Sequence, residues 1–202
     1  MKNLIFALAI AASFATSSVY AQAKNFAGVS MGGNLNLIST TTEISLGSSG
    51  LNGIGQEATN VSVQAAYGLI ISDVALLSVG GTYNLSDIDA GKITSGATTN
   101  TIKFQNAVAL YVEPGLMLND KNLGYAKISY NRATVKAEAG ESVTQDVSGT
   151  GFGFGIRTLL SKNAYLQIEV NRIQYASARF DGSTTDFKSA STAGSLGLGY
   201  KF

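Results

Sequence analysis

The sequence has 202 residues, enough for one domain, and its net charge is only +1. Charged residues make up 13% of the chain, about half of the usual share of about 25%. The sequence contains no Cys, His or Trp, one Pro and 23 Gly. After the N-terminal region no apolar run reaches the about 20 residues that a membrane-spanning helix needs. The balanced charge also argues against nucleic-acid binding, which requires a basic surplus.

The N-terminal region has the three parts of a secretory signal peptide. Lys2 supplies the positive charge, residues 4–15 are apolar but too short to span a membrane, and small residues follow at the cleavage spacing. We expect residues 1–21 to be the signal peptide, with cleavage after Ala21, or alternatively after Ala23, and residues 24–202 to form the folded domain. An ordinary N-terminal helix is the competing interpretation. Removal of Lys2 leaves 13 basic residues against 13 acidic ones.

Eight later segments alternate between apolar and small or polar residues, the period-2 pattern of β-strands. The clearest is the last, in which Leu196, Leu198, Tyr200 and Phe202 alternate with Gly197, Gly199 and Lys201. In chain order, the predicted strands are residues 26–38, 59–71, 74–86, 101–117, 123–135, 148–160, 164–177 and 187–202.

The connections between these segments alternate between long and short. Tight turns are predicted near Ser72, Asn119 and Ser161, and long polar loops at residues 39–58, 87–100, 136–147 and 178–186. This rhythm is typical of membrane β-barrels, which have long loops outside the cell and short periplasmic turns. Pro114 cannot donate a hydrogen bond to a neighbouring strand, so we expect it to mark a bulge or the approach to a turn.

The alternation alone does not say which face of each strand points outward. A soluble sandwich or lipocalin-like barrel would bury the apolar face, whereas a membrane barrel exposes it to lipid. The non-apolar face here is rich in Gly, Ala, Ser, Asn and Gln and has few charges, which favours a narrow barrel interior. Aromatic residues lie on the apolar face, several near strand ends: Tyr67, Tyr83, Phe104, Tyr130, Phe152, Phe154, Tyr200 and Phe202. We therefore predict an all-β fold, an eight-stranded antiparallel up-and-down transmembrane β-barrel.

The predicted strands and the closing stretch at residues 197–202 resemble the OmpA-like and OmpX-like small outer-membrane barrels, also called porin-family or opacity-type proteins. Val112-Glu113-Pro114-Gly115, followed by Asn119-Asp120 and Tyr125-Ala126-Lys127, is similar to the central hairpin of that group. The resemblance implies a Gram-negative outer-membrane location and contact with lipid and lipopolysaccharide. It also implies that periplasmic chaperones and the barrel assembly machinery recognise the terminal strand through Leu196, Leu198, Tyr200 and Phe202. We expect a monomer.

Four charged residues fall on the predicted inward face: Glu113, Lys127, Arg157 and Glu169. They lie on consecutive strands at similar distances from the short turns, so Glu113–Lys127 and Arg157–Glu169 ion pairs are expected. An unpaired charge inside a narrow barrel would be costly. Two interpretations follow: a static polar core that fills the lumen, which we favour, or an ion-pair gate across a narrow path.

Other motifs carry weaker signals. Gly151, Gly153 and Gly155 do not match a phosphate-binding loop, and we expect them to leave room for neighbours such as Tyr111, Tyr125 or Arg157. Asp87 and Asp89 suggest calcium, but the remaining ligands of a full loop are missing. We expect no metal site and no cofactor.

Three functions are considered. The first is a structural or surface-interaction role in which the barrel displays four extracellular loops. The second is a narrow passive pore for ions or small solutes. The third is a lipid-modifying enzyme, against which the absence of His argues, because outer-membrane barrel enzymes that resemble this fold rely on a His for proton transfer. We expect no catalytic residues.

Overall fold

The computed structural model describes residues 22–46, 49–95, 98–139, 141–176, 178–179 and 185–202. A 3₁₀ turn, Ala23–Asn25, precedes ten strands. The strands are β1 (Gly28–Leu46), β2 (Ser49–Ile70), β3 (Ala75–Asn84), β4 (Ile88–Ser95), β5 (Thr98–Asn119), β6 (Asn122–Ala139), β7 (Glu141–Leu159), β8 (Ala164–Tyr175), β9 (Ala178–Arg179) and β10 (Thr185–Lys201). Within these ranges no helix has the length and apolar character needed to cross a membrane.

The strands form one closed antiparallel barrel. Neighbours follow the order β1-β2-β3-β5-β6-β7-β8-β10, and β10 pairs again with β1 from Ser30↔Lys201 to Leu46↔Thr185. β4 pairs with β5 beyond the end of β3, and β9 pairs with β10 beyond the end of β8, so each continues its predecessor. The barrel therefore has eight positions, as predicted, and no free sheet edge along this ring.

The apolar face of the strands points outward. On β10, Leu196, Leu198 and Tyr200 are exposed, while Gly197 between them is buried. On the part of β1 whose exposure is described, the exposed apolar residues span residues 29–37. With a rise of about 3.3 Å per residue and a tilt of about 40°, these residues cover about 23 Å, close to the apolar band of a membrane barrel.

The short connections join strands at one end of the barrel, which we call the turn end. Each turn is capped by a side-chain oxygen that accepts backbone N–H groups: Ser72 Oγ from Ala75, Asn119 Oδ1 from Asn122, and Ser161 Oγ from Ala164. Ser and Asn suit this position because their side chains bond to the backbone a few residues away. All three predicted turn positions are confirmed.

The prediction of long loops at the other end, the hairpin end, is wrong for most of the described residues there. β1 and β2 extend to Leu46 and Ser49, β4 and β5 to Ser95 and Thr98, and β6 and β7 to Ala139 and Glu141. Thr, which is frequent in these segments, favours extended backbone, and each segment pairs with its neighbour beyond the apolar band. Within residues 178–186 only Ala178–Arg179 and the start of β10 lie in the described ranges.

One bulge changes the direction of the side chains on β5. Gln105 pairs with Thr134, but Val108 pairs with Arg132, so β5 has one extra residue there, and Asn106 has φ +50°. An extra residue moves all later side chains to the opposite face. Phe104 is therefore buried, at 3% exposure, and stacks on Tyr175 with ring centroids 4.9 Å apart. Its assignment to the lipid-facing aromatics was wrong.

Pro114 does not create a bulge. It pairs with Leu77 of β3 in regular register. On the β6 side the register is the same before it, at Val112↔Ile128, and after it, at Gly115↔Tyr125. The missing N–H is accommodated without an extra residue, and β5 ends five residues later, at Asn119.

The described interior has three layers. At the turn end lies an apolar cluster of Ala23, Phe26, Leu76, Met117, Leu123 and Tyr165. Buried polar and charged side chains fill the middle. Toward the hairpin end lies a second apolar cluster, the outer apolar cluster, of Ile38, Ile88, Ala90, Phe104, Ala133 and Val147.

Candidate functional site

The four predicted inward charges lie together in the middle layer. Glu113, Lys127, Arg157 and Glu169 come from β5, β6, β7 and β8 and are 1%, 5%, 4% and 5% exposed. The alternation of each strand brings these side chains to the interior, and their strands are consecutive neighbours in the wall. We refer to these four residues as the charged tetrad.

The ion pairs within the tetrad differ in part from those expected. Lys127 Nζ lies 3.2 Å from Glu113 Oε1, as expected, and also 2.5 Å from Glu169 Oε2. Arg157 Nη2 lies 2.6 Å from Glu113 Oε2, so Arg157 pairs across β6 with Glu113 rather than with Glu169.

The β7–β8 register explains this choice. Arg157 lies opposite Gln167, and its Nε donates to Gln167 Oε1 at 2.8 Å. Glu169 lies opposite Gly155, which leaves it free to accept from Lys127 and from the Tyr125 hydroxyl, the latter at 2.9 Å. The two carboxylates and two cations balance each other, so the buried layer carries no net charge.

Three buried tyrosines pack around the charged tetrad. Lys127 Nζ lies 4.4 Å from the Tyr111 ring centroid, and the Arg157 guanidinium lies 4.6 Å from that of Tyr125. Arg157 also lies 5.6 Å from the Tyr165 ring centroid. Cations over aromatic faces are attracted by the ring quadrupole. The aromatic faces therefore add to the attraction of the carboxylates in holding the two cations.

Each of these rings occupies space that a glycine leaves open. A β-carbon at Gly155 would overlap the Tyr125 ring. The same holds for Gly80 beneath Tyr111 and for Gly199 beneath Tyr165. The sequence predicted that the β7 glycines make room for a large neighbour such as Tyr125 and that Gly199 keeps the lumen side clear. It did not predict that Tyr165 fills the space at Gly199 or that Tyr111 fills the space at Gly80. The signal available in the sequence was an inward-facing glycine on one strand and an inward-facing tyrosine on a nearby strand.

A further ion pair lies on the outside of the barrel, beyond the apolar band. Arg132 Nη2 and Asp146 Oδ2 are 2.6 Å apart, and both side chains are more than half exposed. The hydrogen bond from Arg132 lowers the pKa of Asp146, and a second from Thr134 lowers it further. This pair marks where the outer surface becomes polar.

The remaining predicted positions are separate from the tetrad. Leu196, Leu198, Tyr200 and Phe202 face outward near the turn end, and the Tyr200 and Phe202 rings meet edge to face at 5.2 Å. Asp87 is exposed and accepts a hydrogen bond from Gln105 Nε2 at 2.8 Å. Among the described residues no group of three or more Asp or Glu side chains is placed to hold a metal ion.

Solved structures with the same fold include one surface protein and two outer membrane proteins. Neisserial surface protein A (NspA) is 13% identical over 84% of this chain and 97% of its own, with a TM-score of 0.53. Outer membrane protein OprG from Pseudomonas aeruginosa is 13% identical over 92% and 99%, with a TM-score of 0.52. Outer membrane protein AlkL is 12% identical over 93% and 94%, with a TM-score of 0.50. An outer membrane protease, OmpT from Escherichia coli, also matches.

No curated protein matches the sequence. One family model does, and it covers nearly the whole chain. The outward apolar band, the closed eight-position wall and the buried polar interior are all features of that family's architecture. The match to the outer membrane protein beta-barrel domain over residues 7–202 shows that this chain belongs to that family and lies in the outer membrane.

Proposed function

We propose that this protein is a closed, non-conducting outer-membrane scaffold that presents its hairpin end at the cell surface for contact with other molecules. The observation that carries the proposal is the filled cross-section at the charged tetrad. Two carboxylates, two cations and three tyrosines occupy the lumen there, and Glu113, at 1% exposure, joins both cations. Eight strands enclose a space that side chains just fill.

The turn end adds a second barrier to solute passage. Phe26, Leu76 and Leu123 are buried in the turn-end apolar cluster, directly beneath the middle layer. The cavity inside the barrel, of about 100 Å³, is lined by residues of the middle layer and the hairpin end and by none of this cluster. An ion would have to leave water and cross both layers, which is costly in a medium of low dielectric constant.

The hairpin end supports the surface role. Leu46, the last residue of β1, lies nine residues beyond Leu37, the last exposed apolar residue among those β1 residues whose exposure is described. At about 3.3 Å per residue these nine residues raise the wall by about 23 Å at the same tilt. β1 is paired on both sides along this stretch. A paired wall of this height presents its ends at a fixed distance from the lipid.

Planar-bilayer recording of the purified barrel tests closure. We expect silent traces from the wild type. Arg157→Ala, which leaves Glu113 with one cation fewer, is the probe of the competing pore function. Discrete conductance steps in the wild type whose size changes in Arg157→Ala would replace the scaffold proposal with the narrow pore. A matched control is Arg132→Ala, which removes an exposed cation outside the lumen.

Shortening a hairpin tests the surface role. Replacement of residues 42–54 by a two-residue turn removes the top of the β1–β2 hairpin while keeping the pairs from Gly28↔Gly68 to Thr41↔Gly55 nearly intact. We expect the barrel to fold but to lose adhesion to lipopolysaccharide-coated or host-cell surfaces relative to the full-length protein. Equal adhesion after each of the hairpins has been shortened in turn would contradict the proposal.

We propose that the last strand also carries the assembly signal. Phe202 is 70% exposed at the turn end, and its N–H donates to Val29 O, so it joins the last strand to the first. Deletion of Phe202 should reduce the amount of heat-modifiable barrel in the outer membrane, measured by gel mobility of membrane fractions. Substitution Phe202→Tyr, which retains the ring, should preserve it. Normal insertion of the truncated chain would count against this role.

We further propose a monomer without catalytic activity. The ring of strand pairs leaves no edge for a second copy along the spanning wall.

The sequence has no His for general acid–base chemistry. The charged side chains of the tetrad are engaged with one another rather than with a nucleophilic Ser. Contact with membrane lipid and lipopolysaccharide is expected on the outward apolar band.

A further inference from the structure

The cavity between the charged tetrad and the outer apolar cluster has two chemically different ends. Its volume is about 100 Å³. Toward the turn end it is lined by polar side chains, among them Asn34, Gln64 and Asn171. Toward the hairpin end it is lined by Ile38, Ile88 and Phe104. A small molecule bound here would meet hydrogen-bonding groups at one end and hydrocarbon at the other.

The polar end holds buried atoms without a hydrogen-bond partner among the described residues. They are Asn34 Oδ1, Gln64 Oε1, Asn171 Oδ1 and the Tyr111 hydroxyl, and all four residues line the cavity. Buried polar atoms are nearly always paired in folded proteins. Three of the four atoms are amide oxygens, which accept hydrogen bonds, so a partner that fills the cavity has to donate.

The charge of the surroundings selects a neutral partner. Glu113 and Glu169 are balanced by Lys127 and Arg157, all within the tetrad. A charged ligand would add an uncompensated charge to this buried layer, which is unfavourable.

The apolar end accepts a short hydrocarbon. Phe104 and Tyr175 stack beside Ile88, and Ala107 and Ala193 leave space around them because their side chains are small. A cavity of about 150 Å³ holds benzene in another protein. The smaller volume here therefore fits a molecule of about five non-hydrogen atoms.

We propose that this cavity is a binding site for a small neutral amphiphile with a hydroxyl or N–H donor at one end and a chain of about four carbons at the other. The donor end meets Asn34, Gln64 or Asn171, and the chain meets Ile38, Ile88 and Phe104. The site is independent of the proposed surface role, because it lies inside the wall and its lining includes none of residues 42–54, which the shortened hairpin lacks.

Two isomers of the same size test the proposal. 1-Butanol donates a hydrogen bond, whereas diethyl ether only accepts. Each is titrated into the isotope-labelled barrel in detergent micelles, and contacts are detected as nuclear Overhauser effects to isoleucine methyl groups. We expect 1-butanol to contact Ile38 and Ile88 and to bind about threefold to tenfold more tightly than the ether, the usual effect of one hydrogen bond.

A variant in which a larger side chain fills the cavity distinguishes 1-butanol bound in the cavity from 1-butanol dissolved in the micelle. Ala193→Phe occupies the apolar end and should abolish the contacts at Ile38 and Ile88 while leaving those at Ile128, which is 60% exposed to the micelle. Ala193→Leu replaces it if the phenylalanine variant fails to fold. Contacts of 1-butanol at Ile128 alone would overturn the site. Equal affinity for both isomers would overturn the requirement for a donor.

Discussion

The middle and outer layers of the barrel interior are built on different principles, although they share strand β5. Glu113 of β5 belongs to the charged tetrad, which is held by directed ion pairs. Phe104 of the same strand belongs to the outer apolar cluster, which is held by the burial of hydrocarbon. One residue has an odd number and the other an even number, yet both point inward, because the bulge at Asn106 lies between them. A single extra residue thus lets one strand contribute to both layers.

The largest effect is expected from breaking the tetrad. Glu113→Gln removes the carboxylate that joins both cations and leaves Arg157 without an ion-pair partner in a buried layer. Removal of one partner of a buried pair typically costs about 3–5 kcal/mol. The free energy of unfolding, measured by denaturant titration in micelles, should fall by this amount. Glu57→Gln, at an exposed position, is the matched control, and equal losses in both variants would contradict a structural tetrad.

The outer layer should respond to loss of hydrocarbon. Phe104→Ala removes a buried ring and its stacking contact with Tyr175. The free energy of unfolding should fall by about 3 kcal/mol. Phe152→Ala removes a ring that is 61% exposed on the outer face. The lipid-facing variant should lose much less stability in the same denaturant titration. Similar losses of stability in both variants would indicate that Phe104 faces lipid, and they would contradict the proposed difference between the two layers.

The bulge that separates the layers gives a smaller effect. Asn tolerates the left-handed conformation at φ +50°, whereas a β-branched residue there is strained. Asn106→Val should cost about 1–2 kcal/mol, and Asn106→Gly should be neutral or slightly stabilising. Thermal unfolding of the two variants measures the difference. If Val were tolerated as well as Gly, the bulge would not depend on this backbone conformation.

The smallest effect is expected at the exposed Arg132–Asp146 pair, which contrasts with the buried tetrad. The hydrogen bond from Arg132 lowers the pKa of Asp146 in the folded state. The contribution of this hydrogen bond to folding stability is therefore present above the ordinary aspartate pKa of about 3.9. It is lost as the pH falls through the lower pKa that Asp146 has in the folded state. Asp146→Asn should leave the unfolding midpoint unchanged between about pH 5 and 9, because exposed pairs contribute little. A large shift would mean that this pair is not solvated.

The sequence predicted the wall of the barrel and the members of the tetrad, because both follow from side-chain alternation within a strand. It did not predict the partner of Arg157, which depends on the β7–β8 register that puts Gln167 opposite it. The sequence-based prediction placed Phe104 on the wrong face because it assumed unbroken alternation through residue 106. The polar Asn106 among the apolar residues of that face was the signal for the bulge. The hairpin ends were read as loops because Thr, Ser and Gly suit loops as well as exposed paired strands.

The N-terminal segment below the barrel has a consequence for the order in which the chain folds. Ala23 N–H donates to Asp73 O, Asn25 Nδ2 to Asp120 O, and Lys201 Nζ to Lys24 O. The first two partners belong to early and central turns, whereas Lys201 is on the final strand. Residues 23–25 therefore gain their complete set of contacts only after the last strand has been added, so their complete docking requires ring closure.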